Sequence, residues 1–238
     1  MLGFSLMGLL DSLAKQVLTR TTISRVQRIA DHTYHITLHG PDLANLAYTP
    51  GNTLNVFFDL SGPEAALRKR TYSIWHHDSV AGTVELTVCT FSDGPGARWA
   101  RHCRPGDEVH LFGLGGKFLL DAAAPAYCLL GDVSALSHLY ALRRPLLPMQ
   151  QVFGFVHAHA QADCFPDLDG TLPLPFVVAD QLSAAGVLAG LAAQGLGPEV
   201  ECLYYIGGPK ALCVETQRLL RQQWKVPVQR LKAKPFWG

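Results

Sequence analysis

Residues 68–75 read RKRTYSIW, and residues 94–118 read GPGARWARHCRPGDEVHLFGLGGKF. In the first stretch apolar and polar residues alternate, the mark of a strand with two unlike faces. The two-residue period places Arg70 and Tyr72 on one side. Tyr72 offers a flat aromatic face edged by a hydroxyl, Ser73 a second hydroxyl, and Arg70 a forked cation. A planar ring system with a diphosphate tail requires such groups: an aromatic contact, hydroxyls for a polar rim, and a guanidinium for phosphate. In the second stretch Gly94, Pro95 and Gly96 form a turn, and residues 97–101 a short helix. A helix N-terminus behind glycines exposes unpaired N–H groups that seat phosphate. Pro105-Gly106-Asp107 then turns the chain into a strand over residues 108–112.

Moving outward, the strand code continues on the N-terminal side. Tyr34, Ile36 and Leu38 alternate with His35, Thr37 and His39. Leu54, Val56, Phe58 and Leu60 alternate with Asn55, Phe57 and Asp59, and Val84, Leu86 and Val88 with Glu85, Thr87 and Cys89. Turn signals at 39–42, 49–52, 60–63 and 81–82 separate them. Short strands with one polar face and such turns predict a small antiparallel barrel. Before it, Leu6, Leu9, Leu10, Leu13 and Val17 fall at helical spacing. Residues 4–18 are therefore expected to form an amphipathic helix that packs on protein, since the run is too short to span a bilayer and carries no signal-peptide pattern.

On the C-terminal side the code changes after residues 121–125, DAAAP, which read as a linker. AYCLL (126–130), QVFGFV (151–156), PFVVA (175–179) and CLYYI (202–206) are nearly continuous apolar runs, as expected of strands buried on both faces in a parallel sheet. Residues 135–144, 183–194 and 209–224 are helical in pattern. Alternation of strand and helix predicts an α/β layer fold. The expected fold class is thus an antiparallel β-barrel followed by a small parallel-sheet α/β domain, with boundaries at 1–18 (helix), 19–122 (barrel) and 123–238 (α/β). Glycines follow the first and last long strands, in Gly131-Asp132-Val133-Ser134-Ala135-Leu136 and in Gly207-Gly208-Pro209. Nucleotides bind outside the carboxyl ends of strands in such sheets.

The order RTYS, glycine turn, helix, PGD and strand resembles the FAD domain of the ferredoxin–NADP reductase superfamily. The wording GPGARWARHCRPGD, with GDVSAL behind the first parallel strand, is similar to the siderophore-interacting proteins, FAD-dependent ferric-siderophore reductases. The resemblance covers most of the chain. It implies FAD held by Arg70, Thr71, Tyr72 and Ser73, by Val88 and Thr90 on the strand before the turn, and by Gly94, Gly96, Ala97 and Arg98. It implies NADPH or NADH docking at Gly131, Asp132, Ser134, Gly207 and Gly208, with Trp237 among the cofactor contacts. It implies a ferric siderophore as electron acceptor, with a ferredoxin as another source of electrons, in the cytoplasm. Residues 228–234 alternate as a final strand that places Arg230, Lys232 and Lys234 on one face, where they would attract an anionic acceptor. No side chain is expected to act as catalytic acid or base.

The chain departs from the family at four places. Ala97 replaces a serine, Thr90 a histidine, and the ending Lys232 to Gly238 only partly matches Lys-Gly-Tyr-Trp. His157-Ala158-His159 stands where the family tends to carry an acidic residue for the ribose, which makes NADPH at least as plausible as NADH. Two other readings stay open. One is a general ferredoxin, flavodoxin or flavin reductase; the other is a flavin- or siderophore-binding module without turnover.

The 238 residues are 48% hydrophobic and 16% charged, with a net charge of +1, so the chain is expected to be well buried and no nucleic-acid binder. The six cysteines form no CxxC pattern and are expected to be reduced. GLGGKF (113–118) lacks the Ser/Thr and the first glycine of a phosphate loop. His157 and His159 read as loop histidines and not metal ligands, His76-His77-Asp78 as a solvated turn, and no nucleophile elbow is present.

Overall fold

The structure, a computed structural model, describes residues 18–58 and 69–237. The expected N-terminal helix lies outside the described residues, as do Leu60 and Arg68. The chain divides into two compact units. One comprises, among described residues, 18–27, Tyr34–Tyr48, 53–58 and 69–115; the other comprises Arg28–Thr33, Thr49–Asn52 and 116–237.

The first unit is built on strands β1 (Thr19–Ala30), β2 (Thr33–His39), β3 (Thr53–Phe57), β4 (Lys69–Ser73), β5 (His76–Asp78), β6 (Thr83–Cys89) and β7 (Glu108–Gly115). They form one sheet in the order β4-β3-β7-β1-β2-β6-β5. Its two edges, β4 and β5, are separated in sequence only by Ile74 and Trp75. Opposite edges of a flat seven-stranded sheet lie roughly 29 Å apart, whereas three peptide steps reach about 11 Å. The sheet must therefore curl into a barrel, and the Trp75 N–H donates to the Glu85 carbonyl of β6 at 2.8 Å. Ile36, Leu38, Leu54, Val56, Val84, Leu86 and Val88 fill its core. Helix α1 (Pro95–His102) follows β6. The Gly106 turn takes φ +96°, a conformation that glycine adopts without strain.

His76-His77-Asp78 is a strand and not a solvated turn. It pairs antiparallel with β6, His77 Nε2–H donates to the Leu43 carbonyl at 2.7 Å, and all three residues are half-buried. Sequence reading missed it because two histidines and an aspartate carry no apolar period.

The second unit is a parallel sheet: β8 (Ala126–Asp132), β9 (Gln151–Phe153), β10 (Val156–Ala158), β11 (Phe176–Val178), β12 (Cys202–Pro209) and β13 (Leu231–Trp237). The order is β11-β10-β8-β12-β13, with β9 beside the start of β8. Helices α2 (Leu136–Arg143), α3 (Ala184–Ala193) and α4 (Lys210–Gln223) fall where the periodicity placed them, and the Ser183 hydroxyl caps α3. Val187, Leu188 and Leu191 of α3 and Cys213, Leu219 and Leu220 of α4 pack with Cys128, Leu130, Tyr204 and Ile206 of the sheet.

Three expectations need correction here. The run 151–156 is not one strand, because Gly154 at φ +113° breaks it into β9 and β10. The run at 175–179 is not buried on both faces; β11 is an edge strand with Val177 and Val178 exposed. Residues 228–230 are a 3-10 turn, so Arg230 precedes β13.

Candidate cofactor and nucleotide sites

In the first unit, β4 pairs with β3, setting Tyr72 against Leu54 and Arg70 against Val56. Thr71 Oγ1 donates to Asn55 Oδ1 at 2.7 Å, and the Asn55 amide donates to the Phe112 carbonyl at 3.2 Å. Arg70 and Tyr72 share the side that meets the start of α1. A Cβ built on Gly96 would stand 2.3 Å from the Tyr72 hydroxyl and 3.4 Å from Arg70 Cγ. Only glycine lets the phenol lie against that helix end. The first intrahelical bond runs from Arg98 N–H to the Gly94 carbonyl, so the N–H groups of Gly96 and Ala97 precede it in the first turn. Burial pushes the Tyr72 phenol well above its ordinary range, keeping it neutral and able to donate.

An aromatic layer that sequence reading did not single out supports Tyr72. The Trp99 ring lies 5.9 Å from it and stacks on Phe58 at 4.6 Å. Trp99 sits in the quoted GPGARWA stretch, which is the signal that would have found it. The other predicted residues divide. Val88 is a core residue, so only its backbone is left to meet a ligand. Thr90 and Ser73 are buried. Arg98 donates to the Asp93 carbonyl, while Arg101 holds the Thr90 carbonyl and the Asp93 carboxylate at 2.7 and 2.6 Å. Arg98 thus braces the turn.

In the second unit the carboxyl ends of β8 and β12 converge. A Cβ on Gly131 would meet the Gly207 carbonyl at 2.8 Å, and one on Gly208 would meet Asp132 Oδ1 at 3.1 Å. Asp132 is buried; its carboxylate accepts from the Ser134 N–H and hydroxyl and, at 2.7 Å, from the Trp237 indole N–H. Gly131, Asp132, Ser134, Gly207, Gly208 and Trp237 therefore form one cluster. Beside it the fully buried His138 donates from Nε2 to the Phe118 carbonyl at 3.0 Å and meets the Phe236 ring edge-on. Burial, reinforced by the Lys234 charge, lowers its pKa to about 3, so it is neutral.

The three C-terminal cations do not act as a set. Arg230 is off the strand and pairs with Glu201 at 2.7 Å. Lys232 lies within reach of the Tyr205 hydroxyl at 3.2 Å and the Leu119 carbonyl at 3.4 Å. Lys234 is half-buried over the Phe236 ring at 5.3 Å and has no carboxylate partner among the described residues. Burial lowers its pKa. His157 is a strand residue and not a loop histidine; its Nε2–H donates to the Ala179 carbonyl at 2.7 Å. The described residues contain no cluster able to hold a metal, and all six cysteines are free thiols. No described helix is long and apolar enough to cross a membrane.

A barrel carrying a glycine-opened helix, followed by a parallel sheet with paired glycine turns, is the two-domain fold of the ferredoxin-reductase-like proteins. Residues 61–118 match the siderophore-interacting FAD-binding domain, in agreement with the resemblance read from the sequence. The ferric vibriobactin reductase ViuB of Vibrio cholerae serotype O1 is 22% identical over 90% of this chain and 86% of its own length. The siderophore-interacting protein SipS from Aeromonas hydrophila superposes with a TM-score of 0.74 at 22% identity, covering 93% of this chain and 92% of SipS. The Amycolatopsis cytochrome P450 reductase GcoB gives 0.73 at 22% identity, covering 93% of this chain and 70% of that one.

The residues present fit FAD. The place a Gly96 side chain would fill is left to a neutral phenol beside a guanidinium, at a helix end whose first N–H groups precede any intrahelical bond. Arg70 and those N–H groups suit a pyrophosphate, and the Tyr72 ring suits a planar heterocycle.

Proposed function

We propose that the chain is an FAD-dependent reductase that passes electrons from NAD(P)H to a ferric siderophore and releases iron(II). The packing of Arg70 and Tyr72 against the Gly96 end of α1, within a segment of siderophore-interacting FAD-binding type, carries this reading. On it, residues 19–122 bind FAD through Arg70, Thr71, Tyr72, Ser73 and the 94–98 turn. Residues 123–238 bind the nicotinamide donor through Gly131, Asp132, Ser134, Gly207 and Gly208. Bound FAD supplies two-electron acceptance and one-electron release. The protein's own task is positioning: Tyr72 and Arg70 orient, the α1 terminus anchors, and no side chain has to move a proton for hydride transfer. Hard oxygen ligands prefer iron(III), so one-electron reduction loosens the complex. The likeness to ViuB, a ferric vibriobactin reductase, supports the acceptor class.

The test is anaerobic. FAD-loaded protein is mixed with NADH, NADPH or reduced ferredoxin, and the visible flavin absorbance is followed. Ferric siderophores are then added. Bleaching by a nicotinamide and recovery on adding the ferric complex are expected. Recovery with ferredoxin or flavodoxin but not with ferric siderophores would favour a general reductase. No bleaching by any donor would favour a binding module.

A further inference from the structure

We propose that His159 recognises the 2′-phosphate of the nucleotide donor, making NADPH and not NADH the substrate; this rests on the nicotinamide reading of the second unit. In open α/β sheets an acidic residue beyond the next strand's carboxyl end binds the ribose 2′-hydroxyl of NADH, and a cationic residue there accepts the 2′-phosphate. The strand beside β8 on that side is β10, in register Val156 to Gly131 and His157 to Asp132, and the Val133 N–H donates to the His157 carbonyl at 3.1 Å. The residues leaving β10 are therefore carried by the same sheet edge as the Gly131-Asp132 turn. They are Ala158, His159 and Ala160, with no carboxylate.

The two histidines differ in what they have left to offer. His157 is buried, and its Nε2–H is spent on the Ala179 carbonyl. Its ring backs that of His159 at 5.0 Å and fixes where the second ring sits. His159 is exposed, and its Nδ1–H donates to the Asp180 carbonyl at 3.1 Å. That bond holds the ring and leaves Nε2 for a ligand. A phosphate monoester, whose second pKa lies at about 6, brings the proton that a hydrogen bond between its oxygen and Nε2 needs. The next acid, Asp163, is buried against His32 and cannot serve a ribose. The remaining competitor is Asp180, an exposed carboxylate on the residue whose carbonyl holds His159.

Calorimetric titration of the full chain with 2′,5′-ADP and with 5′-ADP separates these. The expected result is about tenfold tighter binding of 2′,5′-ADP, the scale of one charge-assisted hydrogen bond. His159→Ala should abolish that preference while leaving 5′-ADP unchanged, and His159→Arg should restore it. Equal affinities in the parent protein would overturn the proposal, and tighter 5′-ADP would overturn it in favour of Asp180; either leaves the nucleotide site standing. Equal losses of both ligands in His159→Ala would also overturn it. If neither ligand binds, the nucleotide reading falls, and this inference with it.

Discussion

At Gly96 one methyl group would place a carbon 2.3 Å from the Tyr72 hydroxyl, far inside contact distance. Gly96→Ala must therefore push the phenol off the start of α1 or shift the helix. It is expected to lower FAD affinity at least as much as losing Arg70, which fluorescence titration with FAD would measure. Arg70→Ala should weaken FAD by about 1.5–3 kcal/mol, the scale of a charge-assisted hydrogen bond. Unchanged affinity in both variants would mean that the flavin is held elsewhere. Ala97 sits at the same helix end and is only 5% exposed. A serine there buries a hydroxyl that needs a partner. Ala97→Ser is therefore expected to lower the melting temperature of the FAD-free protein while keeping or tightening FAD binding; loss of FAD affinity would show a differently packed turn. The sequence alone placed Arg70 and Tyr72 on one face of a strand and a glycine turn before a helix, because alternation and glycine have direct geometric meaning. It could not reveal that Val88 faces the core or that Arg98 is spent on Asp93, since those depend on which way a strand and a helix roll against each other.

At the scale of elements, legibility followed periodicity. The α2, α3 and α4 helices and the β8 and β12 strands are long enough for a 3.6-residue or all-apolar pattern to declare itself. β5 has three polar residues and β11 is a three-residue edge, too short for a pattern, and the break in 151–156 turns on one backbone angle. That break is testable. At Gly154 a Cβ would lie 2.0 Å from the Leu129 carbonyl, a backbone atom of β8 that cannot swing away, and φ is +113°. Gly154→Ala should cost upwards of about 3 kcal/mol or prevent folding, as read by chemical denaturation. The α2 helix carries a second test in His138. Its folded pKa of about 3 lies below the ordinary value near 6.5, so between those values the unfolded chain binds the proton and the folded one does not. Stability should be unaffected by this group above about pH 6.5 and fall by up to about 1.4 kcal/mol per pH unit below it. His138→Gln retains a donor for the Phe118 carbonyl and should flatten that acid slope. An unchanged slope would mean that other groups set it.

Over the whole molecule, 20 basic side chains oppose 19 acidic ones, for a net charge of +1. So even a balance leaves little net charge to draw an anion in, and preference for a charged acceptor is expected to rest on local cations. Alternation in sequence suggested three. Arg230 is offset by Glu201; Lys232 has Asp121 at 3.9 Å and is committed to Tyr205 and Leu119; Lys234 has no carboxylate partner among the described residues. Its ammonium has lost solvent without gaining a counter-charge, which is why its pKa is lowered, and an anion would relieve that cost. On the proposed function, Lys234→Ala should raise KM for an anionic ferric tris-catecholate about fivefold, near the 1 kcal/mol of a partly exposed ion pair. It should leave a neutral ferric hydroxamate unchanged. Raising the salt should weaken the catecholate in the parent protein and have little effect in the variant, because screening acts only on the charge that was removed. Lys232→Ala should behave differently, lowering the melting temperature and slowing both acceptors alike, since its contacts tie β13 to β12 and to the segment at Leu119. Steady-state assays of the two single variants with both acceptors at low and high salt would decide. Equal effects on both acceptors in Lys234→Ala would make that lysine structural. No effect on either would place the acceptor's charge recognition on other residues.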